Sequence, residues 1–481
     1  MQFTNLTFLF VFMPMLLVTY YVVKQEYRKY VLLVFSLLFY TCGSSFFLIP
    51  LVALVFINYF VSILIEKSNS EARLLNPDDE GANQRKLPGI LFVLGISIDL
   101  LVLVFYKYAE PISKILCVTG NDDSIDTNIL IPLGISYFTF KAISYLADVY
   151  VGKIKNVSFS DMATYLTFFA QIQSGPISRF GTFQRGYLFN KQLFGEGVTL
   201  FMMGFSKKVI LADSLCNIVN EVFDSSEVLQ STSLAWVGAI CYSLQLFYDF
   251  SGYSDMAIGI GNMLGIECEK NFDYPYDTKT VSEFWRRWHL SLGSWFRGYI
   301  YIPLGGSRVK QWRIYFNLFI VWMLTGIWHG NGLRFIVWGL GYFVVISFEK
   351  MTKLYEKMKS PVMRVLYRIC VLLFINFQWV IFRSGSLTNG LKHIKTMVIY
   401  TYSYAYSRRA WFLLKDYWFF VILAVLFATP FYKVMRERMS SREGYSKTFE
   451  IVSGIVIVLS FVFAISFIIS GQNNPFVYGN F

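Results

Sequence analysis

The chain has 481 residues, 55% of them hydrophobic and 19% aromatic, with 15% charged and a net charge of +12. Mean hydropathy is positive, which excludes a large soluble core and marks an integral membrane protein. The basic excess does not signal nucleic acid: Lys and Arg cluster in short loops, as the orientation of membrane helices requires, and zinc-finger spacing and a basic domain are both missing.

Apolar runs that cross a bilayer need about 20 residues. They recur near 6–23, 30–49, 50–65, 89–107, 130–149, 197–213, 233–247, 314–328, 332–348, 365–383, 416–431 and 450–470. Several are shorter than a full span, so the pattern predicts an all-α polytopic membrane protein of about 10–12 helices, some tilted, re-entrant or paired. Because no Lys or Arg precedes Lys24 and no small-residue cleavage site follows, the first run reads as an uncleaved helix.

Loop charge predicts the orientation. Lys24, Arg28 and Lys29 place the first loop in the cytosol and the N-terminus outside. The stretch 109–128 is acidic and fits the outer side, whereas 350–364 and 433–447 are basic and read as cytosolic. The mixed charge of 66–88 decides nothing. The last helix then runs outward and leaves GQNNPFVYGNF (471–481) outside. The longest polar breaks (66–88, 109–128, 384–415 and 432–448) are too short for an independent domain, so 1–481 reads as a single membrane-embedded domain. Basic cytosolic loops would attract an anionic donor such as a coenzyme A or carrier-protein thioester.

Six scattered cysteines (42, 117, 216, 241, 268 and 370) form no CxxC and read as apolar packing residues. With no HExxH, EF-hand spacing, GxSxG or Walker loop, neither a metal nor a resident cofactor is expected.

Chemistry points to histidine, of which the chain has three. His329 sits in GIWHG (326–330) between two long apolar stretches, where an ionisable group is by default a functional hypothesis. Gly326 and Gly330 remove side chains on either side, so a substrate or another backbone can approach. A neutral imidazole there suits proton abstraction from a hydroxyl; the alternative is a buried histidine bonded to a neighbouring helix. His289 lies in WRRWHLSLGSW (285–295). On one helix, Trp285, Trp288, Leu292, Trp295 and Tyr299 form an aromatic stripe, with Arg286, Arg287, Ser294 and Arg297 opposite. Such a helix fits a membrane interface, rings in acyl chains and arginines toward headgroups or protein, with His289 at the edge near Arg286, Gly293 and Phe296. His393, in LKHIK, falls in a soluble-looking loop and is assigned no role.

Asp99, Lys141, Asp148, Asp213, Asp249 and Asp255 are further polar residues in apolar context. Asp249 is expected to orient a histidine or pair with an arginine, or to make a plain helix-packing contact. Asp249 and Asp255 are six apart and do not share a helical face. In the tail, Phe476, Tyr478 and Phe481 read either as an aromatic interface anchor or as a phenol placed to accept an acyl group.

WRRWHLSLGSWFRGYIYIPLGG with WHG forty residues after its histidine resembles the membrane-bound O-acyltransferases, in the branch of alginate and peptidoglycan O-acetyltransferase membrane subunits. IPLGISYFTFKAISYLADVY (131–150), FFAQIQSGPISRF (168–180) and YDFSGYSDMAIGIG (248–261) carry the resemblance over most of 131–330. Ala170, where relatives carry proline, is a departure. The resemblance implies a ring of helices, with re-entrant and interfacial ones, around a tunnel open on both faces. It also implies that His329 is the catalytic histidine and His289 the second of the site. The candidate substrate-binding residues that go with them are Trp288, Arg286, Arg297, Trp328 and Asp249. The tail is similar to an FxYxxF motif whose tyrosine carries an acyl group to an extracellular transferase.

The expectation is transfer of an acyl group, acetyl by preference, from a cytosolic acetyl-CoA or carrier-protein thioester. It passes through Tyr478 and a secreted or periplasmic SGNH-type O-acetyltransferase to a cell-surface polysaccharide or peptidoglycan. The site is the bacterial inner membrane. D-alanyl transfer to teichoic acid is an alternative. A solute transporter is another, although it predicts internal repeats that the sequence does not display.

Overall fold

Each apolar run predicted from the sequence overlaps a helix, and no strand occurs among the described residues, which in this computed structural model are 1–75, 86–117, 132–183, 187–224, 231–440, 445–471 and 474. Among the described residues, six candidate spans are long and apolar enough to cross a membrane: Leu48–Ser70, Lys86–Tyr108, Leu333–Lys357, Pro361–Arg383, Tyr404–Ala428 and Lys447–Ile469. A 23-residue helix is about 35 Å long, against about 30 Å of hydrocarbon. Within Lys447–Ile469, Ile451, Val452, Ile455, Val456, Leu459, Val462 and Phe463 are all exposed. Such a surface is stable only in lipid, and a helix satisfies its own backbone there.

The chain folds into two compact units, Met1–Val198 with Ala257–Glu269, and Thr199–Met256 with Lys270–Phe481. In the first, Phe3, Phe8, Phe12, Phe39 and Phe169 interlock, with ring centroids 5.0–6.4 Å apart. Against this apolar core the Ile135–Tyr150 helix is almost wholly buried. Its Lys141 donates to the Tyr165 carbonyl and, at 3.2 Å, to Gln171 Oε1. Asp99 accepts from Asn58 Nδ2 at 2.8 Å, and Asp148 pairs with Lys153 at 3.3 Å. Lys141, Asp99 and Asp148 thus each have a partner, which is the condition for placing such groups there.

The core of the second unit is built from indoles and phenols. Trp285 meets Trp322 and Tyr342 at 4.9 Å, and Trp288 meets Trp379 at 5.0 Å. Two polar breaks turn out to contain helices. Phe431–Ser440 is helical within 432–448. Within 384–415 lies Leu387–Val398, opened by Ser386 Oγ accepting from Asn389 N at 3.1 Å, a helix N-cap. His393 therefore does not lie in a loop. It is 4% exposed, its Nε2 is 3.1 Å from the Ala235 carbonyl, and its ring stacks on Phe223 at 4.6 Å.

Candidate active site

The segment around His289 is not one helix. Val281–Trp285 is helical, and Leu290–Phe296 starts a second helix after His289, whose backbone is left-handed (φ 48°, ψ 54°). For an L-residue that conformation costs about 1–2 kcal/mol, so something must hold it. The 271–273 stretch does so: its Asn271 carbonyl accepts from Leu290 N at 3.0 Å, and its Asp273 N–H donates to the Arg287 carbonyl at 2.9 Å. The break overturns the continuous aromatic stripe. The rings do not lie in acyl chains either, because Trp288 and Trp295 are 0% and 5% exposed and pack within the protein.

Asn271 also fixes the imidazole. Its Oδ1 accepts from the Ser291 backbone N–H at 3.2 Å and from Ser291 Oγ at 2.9 Å, while its Nδ2 donates to Ser254 Oγ at 3.0 Å. Since a backbone N–H can only donate, the atom facing it must be the amide oxygen, which settles the side chain's orientation. The same oxygen lies 3.1 Å from His289 Nδ1. Nδ1 must therefore carry the proton, and the lone pair resides on Nε2. Burial pushes the His289 pKa down to about 3, so the ring is neutral at physiological pH.

His289 lines a cavity of about 230 Å³ together with Trp285, Gly293, Phe296, Arg297 and Trp322. Gly293 and Phe296 are the neighbours expected from the sequence; Arg286 instead lines a second cavity of about 740 Å³, with Lys279, Arg287, Lys350 and Lys353. The two share Leu318, and both draw lining residues from the 281–301 segment. Glu349 ties that segment down. One carboxylate oxygen accepts from Val281 N at 2.7 Å and Tyr367 OH at 3.0 Å, and the other from Ser282 N at 2.8 Å and Ser282 Oγ at 2.6 Å.

His329 is the last residue of the Gln311–His329 helix, directly before the Leu333–Thr352 helix, at the seam read from the sequence. It is 1% exposed and sits against Trp328, Trp338 and Phe382, with ring centroids at 4.8, 4.9 and 5.3 Å. The flanking glycines admit protein. A Cβ on Gly326 would come within 2.5 Å of the Phe335 carbonyl, and one on Gly330 within 2.1 Å of the Phe335 ring.

The two histidines are brought together through one indole: Trp328 lies 4.8 Å from His329 and 6.5 Å from His289. Trp288 stacks on Phe284 at 5.5 Å and lines neither of these cavities. Arg297 lines the smaller one. Asp249 pairs with Lys208, whose Nζ is 2.7 Å away, a polar contact between packed helices, which was one of the readings left open. Asp255 pairs with the neighbouring Lys207 at 2.5 Å, as two residues on different helical faces should. Tyr478 and the rest of its FxYxxF motif lie outside the described residues. Asn271, Ser291 and Glu349 were not found from the sequence, and isolated polar residues in NFDYP or ISFEK carry no spacing that would single them out. Lys208, in SKKVILAD, did carry a signal, a lysine pair running into an apolar stretch.

The family pattern of the membrane-bound O-acyltransferases matches residues 5–390. The protein described as "Probable alginate O-acetylase AlgI" in Pseudomonas aeruginosa is 36% identical over 397 residues, covering 80% of this chain and 73% of the relative. A peptidoglycan O-acetyltransferase of Helicobacter pylori is 31% identical over 429 residues, covering 81% and 78%. A teichoic acid D-alanyltransferase of Bacillus subtilis, 30% identical over 253 residues, covers 48% and 63%. Family membership removes the transporter alternative. A multi-pass helical chain with this match is an O-acyltransferase, and it belongs to the membrane-bound O-acyltransferase family.

Proposed function

We propose that the protein moves an acetyl group from a cytosolic thioester, acetyl-CoA by preference over an acyl carrier, to the outer face of the bacterial inner membrane. There it serves O-acetylation of a cell-surface polysaccharide or of peptidoglycan. Residues 1–481 act as one membrane-embedded acyltransferase domain, with both termini extracytoplasmic. His329, assisted by His289, takes the proton of an acceptor hydroxyl. The oxygen attacks the thioester carbonyl, the carbon–sulfur bond breaks, and the thiolate leaves and is protonated.

The single observation that carries this reading is the pairing of two buried imidazoles across Trp328, one of them held as the Nδ1–H tautomer on the wall of a 230 Å³ cavity. His329 adds its position at a helix C-terminus, where the helix dipole favours the positive charge that grows on proton uptake. For the donor, the larger cavity offers Lys279, Arg286, Lys350 and Lys353. Of its four carboxylates, Asp273, Glu283 and Glu349 are engaged with Lys270, Arg287 and the 281–282 amides, and Glu356 is the fourth. The four cations outnumber that last carboxylate, which suits phosphates. Arg297 lines the acceptor cavity, Trp328 spans the two histidines, Trp288 supports the segment from behind through Phe284 and Trp379, and Asp249 acts at one remove through Lys208.

The first acceptor is Tyr478, entering from outside; a phenoxide leaves more readily than an alkoxide, which suits a relay. A secreted SGNH-type transferase then moves the group onto the glycan. The test is purified protein in lipid nanodiscs with labelled acetyl-CoA, followed by mapping of the label. Label at Tyr478 is expected. A chain that acetylates glycan without labelling Tyr478 would remove the relay and leave the O-acyltransferase standing. The D-alanyl alternative predicts that a D-alanyl carrier thioester labels the chain and acetyl-CoA does not.

A further inference from the structure

The second unit contains a buried charge cluster that the histidine site does not use. Lys208 Nζ lies 2.6 Å from Asp213 Oδ1 and 2.7 Å from Asp249 Oδ1, and all three side chains are 4% exposed or less. Close helix packing puts them there. A Cβ on Gly204 would sit 2.5 Å from the Gly252 carbonyl, and one on Gly252 would sit 2.7 Å from the Gly204 carbonyl. The turn that bears the lysine, Lys207–Ala212, is π-helical, a local widening that recurs at functional sites.

An ammonium has three N–H donors; one goes to Asp213 Oδ1, and Asp249 adds its charge at 2.7 Å. Another goes to the far end of the chain: Lys208 Nζ donates to the Asn474 carbonyl at 3.1 Å, and Asn474 Nδ2 donates back to the Asp213 carbonyl at 3.4 Å. The Tyr445–Ile469 helix leads there. It runs beside this turn, with Ser460 Oγ 3.1 Å from Ser206 Oγ and Phe461 5.0 Å from Phe205. It then ends at Gly471, whose φ is +79°. Terminal residues are loose unless tied down. Here the tie is charge-assisted, reciprocal and anchored in the protein interior.

We propose that Lys208, held between Asp213 and Asp249, is a latch that seats the C-terminal tail and positions its tyrosine for acylation. The second half rests on the reading of Tyr478 as acyl carrier; the latch does not. Tyr478 is four residues past Asn474, a reach of at most about 14 Å of extended chain. The latch is close to the chemistry along one helix: Asp249 is followed by Phe250, whose ring meets His289 edge-on at 4.6 Å. Lys208, Asp213 and Asp249 are thus positioning residues, acting on the site through the tail.

The experiment uses the full chain in nanodiscs and two readouts, trimming of the C-terminus by a carboxypeptidase followed by intact mass, and label at Tyr478 from acetyl-CoA. Loss of a charge-assisted hydrogen bond predicts at least about tenfold faster trimming in Lys208→Met. Asn474→Asp, which sets a carboxylate against two others, is expected to do the same from a half-buried position that does not endanger folding. Both variants should lose label at Tyr478 at unchanged KM for acetyl-CoA. Tyr478→Phe should lose the label and keep wild-type trimming. If Asn474→Asp is trimmed at the wild-type rate, the latch is wrong. If the wild-type chain carries no label but both latch variants are trimmed faster, the relay falls and the latch stands.

Discussion

His289 and His329 are both 1% exposed, and there the likeness ends. His289 is held by polar contacts, with its backbone in a left-handed turn, its Nδ1 on Asn271 and its ring on a cavity wall. His329 sits at a helix end, packed between Trp328, Trp338 and Phe382. A hydrogen bond fixes a tautomer and a direction, whereas an aromatic box fixes a position and excludes water. A base that must accept a proton from an entering hydroxyl gains most from the second, and a partner that must orient that hydroxyl gains most from the first. The contrast teaches that a two-histidine site need not be symmetric, and within the proposed function it suggests a division of labour, with His329 as base and His289 as guide.

Removing each imidazole is the strongest way to break this division. His329→Ala should lower kcat by about 10²–10⁴-fold, the range general-base catalysis supplies, with the KM for acetyl-CoA little changed. His289→Ala should cost less. The reverse order in acetyl-transfer kinetics would make His289, which has the cavity, the base. The next largest effect is expected at Asn271. With Asn271→Leu the tautomer of His289 is no longer imposed, and misorientation of a reacting group costs up to about 10²-fold. Asn271→Asp keeps an acceptor for Nδ1–H and should recover part of the rate; equal losses in both variants would reduce Asn271 to a packing residue.

The donor side should respond more weakly. Arg286→Ala and Lys350→Ala each remove one cation from the larger cavity, and a partly exposed charge contributes up to about 1 kcal/mol, or roughly fivefold in KM. The effect should shrink as salt is raised, because screening over about 8–10 Å acts on such pairs first. A KM that ignores both substitutions would place donor phosphates elsewhere.

Much of this was legible in the sequence because period and length are local properties. Helices overlap all the predicted runs, and His329 falls at the predicted seam. What could not be read was imposed from a distance. The Trp285–Trp288–Leu292–Trp295 spacing is truly helical, yet Asn271, 18 positions before His289, supplies hydrogen bonds that make a broken helix the better solution. His393 was misread for the opposite reason. Its short helix is mixed in composition, but Gly390, His393, Thr396 and Met397 form a buried face at helical spacing, and Ser386 caps it. Asp249 was left open between a histidine, an arginine and a helix-packing contact because Lys208, which it meets, lies 41 residues away on another helix.

The smallest expected effect tests the polar setting of His289 without touching catalysis. Burial lowers the pKa of His289 to about 3, and burial, partly offset by the Ala235 carbonyl, lowers that of His393 as well. In the unfolded chain both rings titrate near ~6.5. Below that pH the unfolded state takes up protons that the folded state refuses, so stability is complete above the unfolded value and declines as pH falls through it. Thermal unfolding in detergent should therefore occur a few degrees lower at pH 5.5 than at pH 7.5. His393→Gln removes one of the two refused protons and should flatten the slope while leaving acetyl transfer unchanged, since that ring packs on Phe223 away from both cavities' linings. His289→Gln should flatten it too, but at the cost of activity. A pH dependence untouched by either substitution would mean that water reaches these rings, and the tautomer imposed by Asn271 would lose its force.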